Sequence, residues 1–193
     1  MNFGHLTAWQ IELLPWYAFL TAWGIGLLWV KPVKTAEPVA SRLFTAIVAA
    51  AAFVLLFNQS WPLGVLRRQI WPVTPTQQWI GIMLTCAGTL LAIWARIILG
   101  ANWSAKVTLK VGHELIRSGP YAYVRHPIYS GLLLAMIGTA LEIGEWRGLP
   151  PILLLAIAHS LKARREEQLL TEEFGDQYLD YRRSTGGLVP RFH

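Results

Sequence analysis

Five long apolar runs, at about Leu13–Val30, Leu43–Phe57, Trp79–Leu99, Ile128–Ile143 and Leu149–Leu161, set what this chain can fold into. About 20 apolar residues, rising 1.5 Å each, cross roughly 30 Å of hydrocarbon. The first and third runs reach that length outright, and the second does so with Ala40, Ser41 and Asn58 counted in. The last two are shorter. Gly144 to Gly148, followed by Pro150 and Pro151, punctuates them as a tight hairpin of short or tilted helices. The expected fold is an all-α integral membrane protein of about five transmembrane helices. It forms a single domain over residues 1–193: three spans in 1–99, then in 100–193 a binding loop, the helical hairpin and a C-terminal helical lid.

Composition supports this reading. Charged residues make up 15% of the chain and hydrophobic ones 54%, whereas soluble domains carry about 25% charged residues. The ten tryptophans suit a chain with many apolar–wet boundaries. A net charge of +6 raises nucleic acid as a partner. The basic residues lie in the loops between apolar runs, however, which is the pattern of membrane topology. With the N-terminus outside and five spans, fourteen Lys and Arg fall on the inner side and three, Arg67, Arg68 and Arg147, on the outer side. The positive-inside rule selects that orientation. It puts Gly100–Pro127 and Lys162–His193 in the cytoplasm, most simply under a prokaryotic plasma membrane. Met1–Gln10 has no Lys or Arg, so no cleavable signal is expected. Cys86 stands alone inside an apolar run and reads as a packing residue.

One inner-side segment, Gly112 to Gly131, is unlike a plain connection. It holds His113, His126, Arg117, Arg125, Tyr121, Tyr123 and Tyr129 between Gly and Pro breaks. His113 and His126 are thirteen residues apart, with no HxxxH pair, so a metal is not expected. No GxGxxG, P-loop or GxSxG pattern is present. Beyond the last run, Leu170, Phe174, Tyr178 and Tyr181 repeat at helical spacing, broken by Gly175 and Asp176. Asp176 is expected to cap a following short helix. Glu166 and Glu167 lie upstream of that face. Cations, carboxylates and aromatic rings together suit a ligand bearing both signs of charge. S-adenosylmethionine is one: Arg or His can hold its carboxylate, Glu its ammonium or ribose, and rings can face its cation.

The run Gly112-His113-x-Leu115-Ile116-x-x-Gly119-Pro120-Tyr121, continuing as Arg125-His126-Pro127-x-Tyr129-x-Gly131, resembles the isoprenylcysteine carboxyl methyltransferase family. So does Glu166-Glu167-x-x-Leu170-x-x-x-Phe174-Gly175-x-x-Tyr178-x-x-Tyr181. The preceding Asn102-Trp103-Ser104-Ala105 is similar to prokaryotic members. The Arg-His-Pro-x-Tyr part is shared with phospholipid methyltransferases. The resemblance implies S-adenosylmethionine bound on the cytosolic side under a short helical lid. By motif, its pocket would be lined by His113, Glu114, Leu115, Ile116, Tyr121, His126, Pro127, Ile128, Tyr129 and Glu166. Lys106 falls where eukaryotic members place a cofactor-contacting glutamine. Arg125, Lys162 and Glu167 would serve the transfer itself, with Lys162 where the family has a substrate-holding arginine. Lysine keeps that charge but loses the bidentate fork.

A bland reading stands beside each residue. Pro120 and Pro127 suit a turn and a helix start. Arg125 suits an ion pair to Glu166 or Glu167, and Tyr178 and Tyr181 suit the packed face of a helix. The expected activity is methylation of the carboxylate of an isoprenylcysteine-like, lipophilic or prenylated substrate that enters from the bilayer. A phospholipid amine, a small thiol, a nicotinamide-dependent membrane reductase and a non-catalytic scaffold are the alternatives.

Overall fold

The computed structural model of the chain describes residues 8–28, 33–36, 39–58, 63–100, 103, 108–110 and 115–191. Among the described residues, six α-helices and two short strands follow in the order α1 (Ala8–Gly26), β1 (Val33–Ala36), α2 (Val39–Phe57), α3 (Pro75–Leu99), β2 (Thr108–Lys110), α4 (Pro127–Ile143), α5 (Leu149–Phe174) and α6 (Asp176–Ser184). The two strands pair antiparallel, with Thr35 opposite Leu109.

Each apolar run lies mainly in one of α1 to α5. The first is offset: α1 ends at Gly26, and Leu27 and Leu28 close a turn onto Gly24 and Ile25. Among the described residues one helix, α3, is long and apolar enough to cross a membrane, and Ala46–Phe57 and Pro127–Ile143 are shorter apolar helices. The start of α3 is written in the sequence. Thr74 is the N-cap and accepts from the Gln77 amide at 3.3 Å, and Pro75 takes the first helical position, where its missing N–H is no loss.

The short connection Gly144–Gly148 joins α4 and α5, which contact each other; α5 also lies against α2, and α4 packs most extensively on α3. The reason is a seam of small residues. From α3 come the buried Gly81, Thr85, Gly88 and Ala92, and from α4 Gly131, Ala135 and Gly138. Small residues at this spacing let two backbones approach closely. A methyl group on Gly88 would collide with the backbone of Gly131 and Ala135. Thr85 donates to Glu142 at 3.0 Å, and Trp16 of α1 donates to Thr139 at 3.0 Å, so the polar atoms of the seam tie in a third helix. Trp16, Phe19, Ala52, Leu56, Ala92, Met136 and Leu155 meet in one core drawn from α1 to α5.

The two ends of the bundle are finished differently. At the far end, Arg147 of the 3-10 turn Trp146–Gly148 donates to the α2 carbonyls of Leu56 (3.2 Å) and Asn58 (2.6 Å) and pairs with Glu145 at 2.6 Å. At the other end α5 continues past the apolar stretch to Phe174, as the sequence suggests. Gly175, at φ 53°, breaks it. Asp176 does not cap α6: Gly175 holds that position without a side-chain bond, and Asp176 is the first helical residue. A carboxylate there still favours the helix dipole.

Candidate active site

The site is built where α4 begins and the polar half of α5 passes it. Pro127 opens α4 at its first position and is fully buried, which fixes the entry of the chain and aims His126 and Tyr129 toward α5. His126, 7% exposed, meets both acids of α5. Its Nε2 lies 3.1 Å from Glu167 Oε1 and its Nδ1 lies 3.4 Å from Glu166 Oε2. Tyr129 donates to Glu166 at 2.6 Å, and Arg125 donates to Glu167 at 2.8 Å. Arg182 of α6 approaches the other Glu167 oxygen at 3.4 Å.

The chain after α6 returns to hold this cluster from behind. The Arg125 amide donates to the Gly186 carbonyl at 2.9 Å and the His126 amide to Gly187 at 3.2 Å. Ser130 donates to the Leu188 carbonyl at 2.5 Å. The Arg125 guanidinium also donates to the carbonyls of Arg182 (3.1 Å) and Thr185. These bonds turn the Nε and Nη1 donors of Arg125 to Glu167 and to the backbone, so Arg125 clamps the strap to α5. Sequence reading missed the returning 185–188 strap, because Thr185-Gly186-Gly187-Leu188 carries no periodicity and no charge.

Electrostatics follow from burial set against pairing. Burial opposes charge on His126, but its hydrogen bonds to Glu166 and Glu167 outweigh that, and the imidazole titrates above its ordinary value. Burial would raise Glu167; the bonds from His126 and Arg125 instead hold it down at about 2. Glu166 is likewise lowered, against burial, by His126, Lys162 and Tyr129. Both carboxylates are therefore ionised at neutral pH.

The remaining expected residues divide into three groups. Tyr121 and Ile128 are buried with Ala95 and Trp103 in an apolar floor against which Ile116 packs, and Leu115 is half-buried. Tyr181 donates to the Tyr121 carbonyl at 2.6 Å. Lys162 places its ammonium 5.6 Å from the Tyr129 ring centroid. Lys106, His113 and Glu114 lie outside the described residues. Tyr178 and Tyr181 are both buried, in keeping with their packing role. One further residue borders the site: His159 of α5 stacks on Tyr129, with ring centroids 4.5 Å apart. Its distance from Lys162 and Glu166, three and seven residues along one helix, was the available signal.

The chemistry of this donor set fits S-adenosylmethionine. Two ionised acids and several cations share one cluster, and two buried polar atoms at its edge, His159 Nδ1 and Tyr178 Oη, have no hydrogen-bond partner. Buried polar groups without partners are rare in finished structural networks.

Residues 79–172 match the isoprenylcysteine carboxyl methyltransferase (ICMT) family. The protein-S-isoprenylcysteine O-methyltransferase of Schizosaccharomyces pombe is 34% identical over 108 residues, 54% of this chain and 46% of that protein. The Mus musculus protein of the same name is 29% identical over 135 residues, 64% of this chain and 46% of its own. An uncharacterised protein of Bacillus subtilis is 33% identical over 64 residues, 33% of this chain and 38% of its own. The chain thus spans about half the length, or less, of these curated relatives. A solved eukaryotic intramembrane Ras methyltransferase of the isoprenylcysteine carboxyl type shares the fold, with a TM-score of 0.58 at 21% identity. That likeness covers 93% of this chain and 67% of the other.

Proposed function

We propose, from the match of residues 79–172 to the isoprenylcysteine carboxyl methyltransferase family, that this chain is an S-adenosylmethionine-dependent membrane methyltransferase of that kind, acting on the carboxylate of a lipophilic, isoprenylcysteine-like acceptor. The observation that carries the reading is the cluster of His126, Glu166 and Glu167, formed where the family segment crosses from α4 to α5. In the proposed topology α1 to α5 span the membrane with the N-terminus outside, and α6 with the 185–188 strap closes the cytosolic face. S-adenosylmethionine, when bound, supplies an electrophilic methyl group on a sulfonium.

The residues of the chain have distinct tasks. Glu166, ionised and partly accessible, would take the cofactor's ammonium. Tyr129 and His126 orient that carboxylate from two sides. Arg125 and the strap fix Glu167, so that His126 cannot swing away. Lys162 offers a cation for the acceptor. Tyr121, Ile116 and Ile128 would line the apolar floor and exclude water. A carboxylic acid with an ordinary pKa of about 4 is already ionised at pH 7 and needs no general base. Transfer then depends on holding nucleophile and methyl in line.

An amine or thiol acceptor needs a proton removed. His126 is poorly suited to that, because its hydrogen bonds to two carboxylates favour its protonated form. The test is methyl transfer from labelled S-adenosylmethionine, in detergent or vesicles, to three acceptors: S-farnesylcysteine with a free carboxylate, phosphatidylethanolamine and a small thiol. Label in a base-labile ester of the first acceptor is the expected result. Label in the second or third alone overturns the carboxylate reading.

A further inference from the structure

His159 is a buried ionisable residue for which the cluster at the start of α4 has no use. It lies on α5 at 6% exposure, its ring stacks on Tyr129 at 4.5 Å with 24° between planes, and its Nδ1 is buried without a hydrogen-bond partner. Tyr129 is itself nearly coplanar with His126, 9° apart at 5.5 Å, so three aromatic rings form one ladder leading away from the two acids. Along α5, His159, Lys162 and Glu166 occupy one face at i, i+3 and i+7. Tyr129 is common to all three: it donates to Glu166, lies 5.6 Å below the Lys162 ammonium and carries the His159 ring. The face therefore runs from an acid through a cation to a buried polar atom that no group among the described residues satisfies.

We infer that His159 is an acceptor-binding residue: its Nδ1–H donates a hydrogen bond to the carboxylate of the methyl acceptor, whose charge Lys162 balances. The inference rests on the proposed carboxyl methyltransferase reading and adds to it the group that selects a carboxylate. The chemistry follows from the neighbours. The ammonium of Lys162 opposes a second positive charge beside it, so the imidazole serves as a neutral donor. The same ammonium attracts an anion and repels a protonated amine. A lysine is a point charge with no fixed fork, and a ring N–H held by stacking supplies the direction that the lysine lacks. Ring stacking also keeps the donor from rotating away, so it is oriented before the acceptor arrives.

The experiment is equilibrium binding of S-farnesylcysteine to the full chain in detergent micelles, with S-adenosylhomocysteine present, compared with its carboxamide. Wild type, H159F and H159N are measured together. H159F keeps an aromatic ring on Tyr129 and so preserves packing, while H159N returns an N–H donor near the position of Nδ1. Wild type is expected to prefer the carboxylate. H159F should weaken carboxylate binding by about tenfold, the scale of one lost hydrogen bond to a charged group, and H159N should recover most of it. Carboxamide and S-adenosylhomocysteine affinities should not change.

An H159F variant that retains the preference overturns the inference. So does an H159N variant as defective as H159F, a loss of S-adenosylhomocysteine binding in H159F, or a wild type without preference. S-adenosylhomocysteine binding to wild type reports separately on the methyltransferase reading: its absence defeats that reading, and its presence without carboxylate preference defeats only the role of His159.

Discussion

Both ends of the bundle bury an arginine beside a glutamate, and the two pairs are finished in different ways. At the far end, Arg147 gives its donors to Glu145 and to the last carbonyls of α2. The arrangement locks α2 to the turn between α4 and α5, although Arg67 Nε, Trp71 Nε1 and Glu142 Oε2 near this end also keep buried atoms without partners. At the site end, Arg125 is engaged through Nε and Nη1, and the network around it gathers both acids of α5. His126 bridges two acids, Arg182 is 56% exposed, and His159 and Tyr178 keep buried polar atoms without partners. A buried ion pair alone is therefore weak evidence of function. The convergence of two acids, a histidine, a tyrosine and an arginine on one cluster distinguishes the candidate active site from the helix clamp.

Substitutions can break this contrast, and the largest effect is expected at Glu167. In Glu167→Ala, Arg125 and His126 lose a shared counter-charge inside the fold. Removing one partner of a buried pair costs about 3 kcal/mol, to be seen as a large drop in thermal midpoint together with loss of methyl transfer. Retention of both would mean that the cluster is surface decoration. Gly88→Ala forces α3 and α4 apart in the seam that joins the two ends. Overpacking of this kind costs about 2 kcal/mol, and the expected outcome is a lower midpoint with S-adenosylhomocysteine affinity within a few-fold of wild type. Arg147→Met should cost about 1–2 kcal/mol through the unpaired Glu145 and the freed carbonyls. It too should leave cofactor affinity unchanged, and weakened binding in this variant would erase the distinction between the ends.

The smallest effect is in the pH dependence of stability. Glu167 is lowered from 4.5 to about 2, so its contribution is present above pH 4.5 and is lost as pH falls toward 2. His126 is raised from 6.5, so its contribution is complete below pH 6.5 and fades as pH rises through its folded value. Thermal midpoints should be flat between about 4.5 and 6.5 for these two groups and fall on either side. Glu167→Gln should flatten the acid limb, and an unchanged acid limb would remove Glu167 from the cluster's electrostatics.

The helices were legible in the sequence because their signals are local. Thr74-Pro75 marks the start of α3, Pro127 that of α4, and Gly175 the end of α5, each through the backbone preference of one or two residues. The meeting of His126 with Glu166 and Glu167 was legible through a motif, since charge type and order survive in the sequence. What escaped depends on contacts between distant segments. The pairing of Val33–Ala36 with Thr108–Lys110 joins two short polar stretches without alternation. The close packing of α4 on α3 comes from which small residues face one another, and periodicity gives a stripe but no partner. The 185–188 strap bonds mainly through backbone carbonyls, which every residue carries. Asp176 stands one residue inside the position expected for it, because Gly175 already makes the turn.

Calorimetry of S-adenosylhomocysteine with the detergent-solubilised chain puts the contrast between the two ends to its sharpest test. Wild type and Arg147→Met are expected to bind alike, while Glu166→Ala and His126→Ala, folded by their circular dichroism, should show no binding. A wild type that takes no S-adenosylhomocysteine, or a Glu166→Ala variant that binds it undiminished, would contradict the assignment of the cluster between α4 and α5 as a cofactor site.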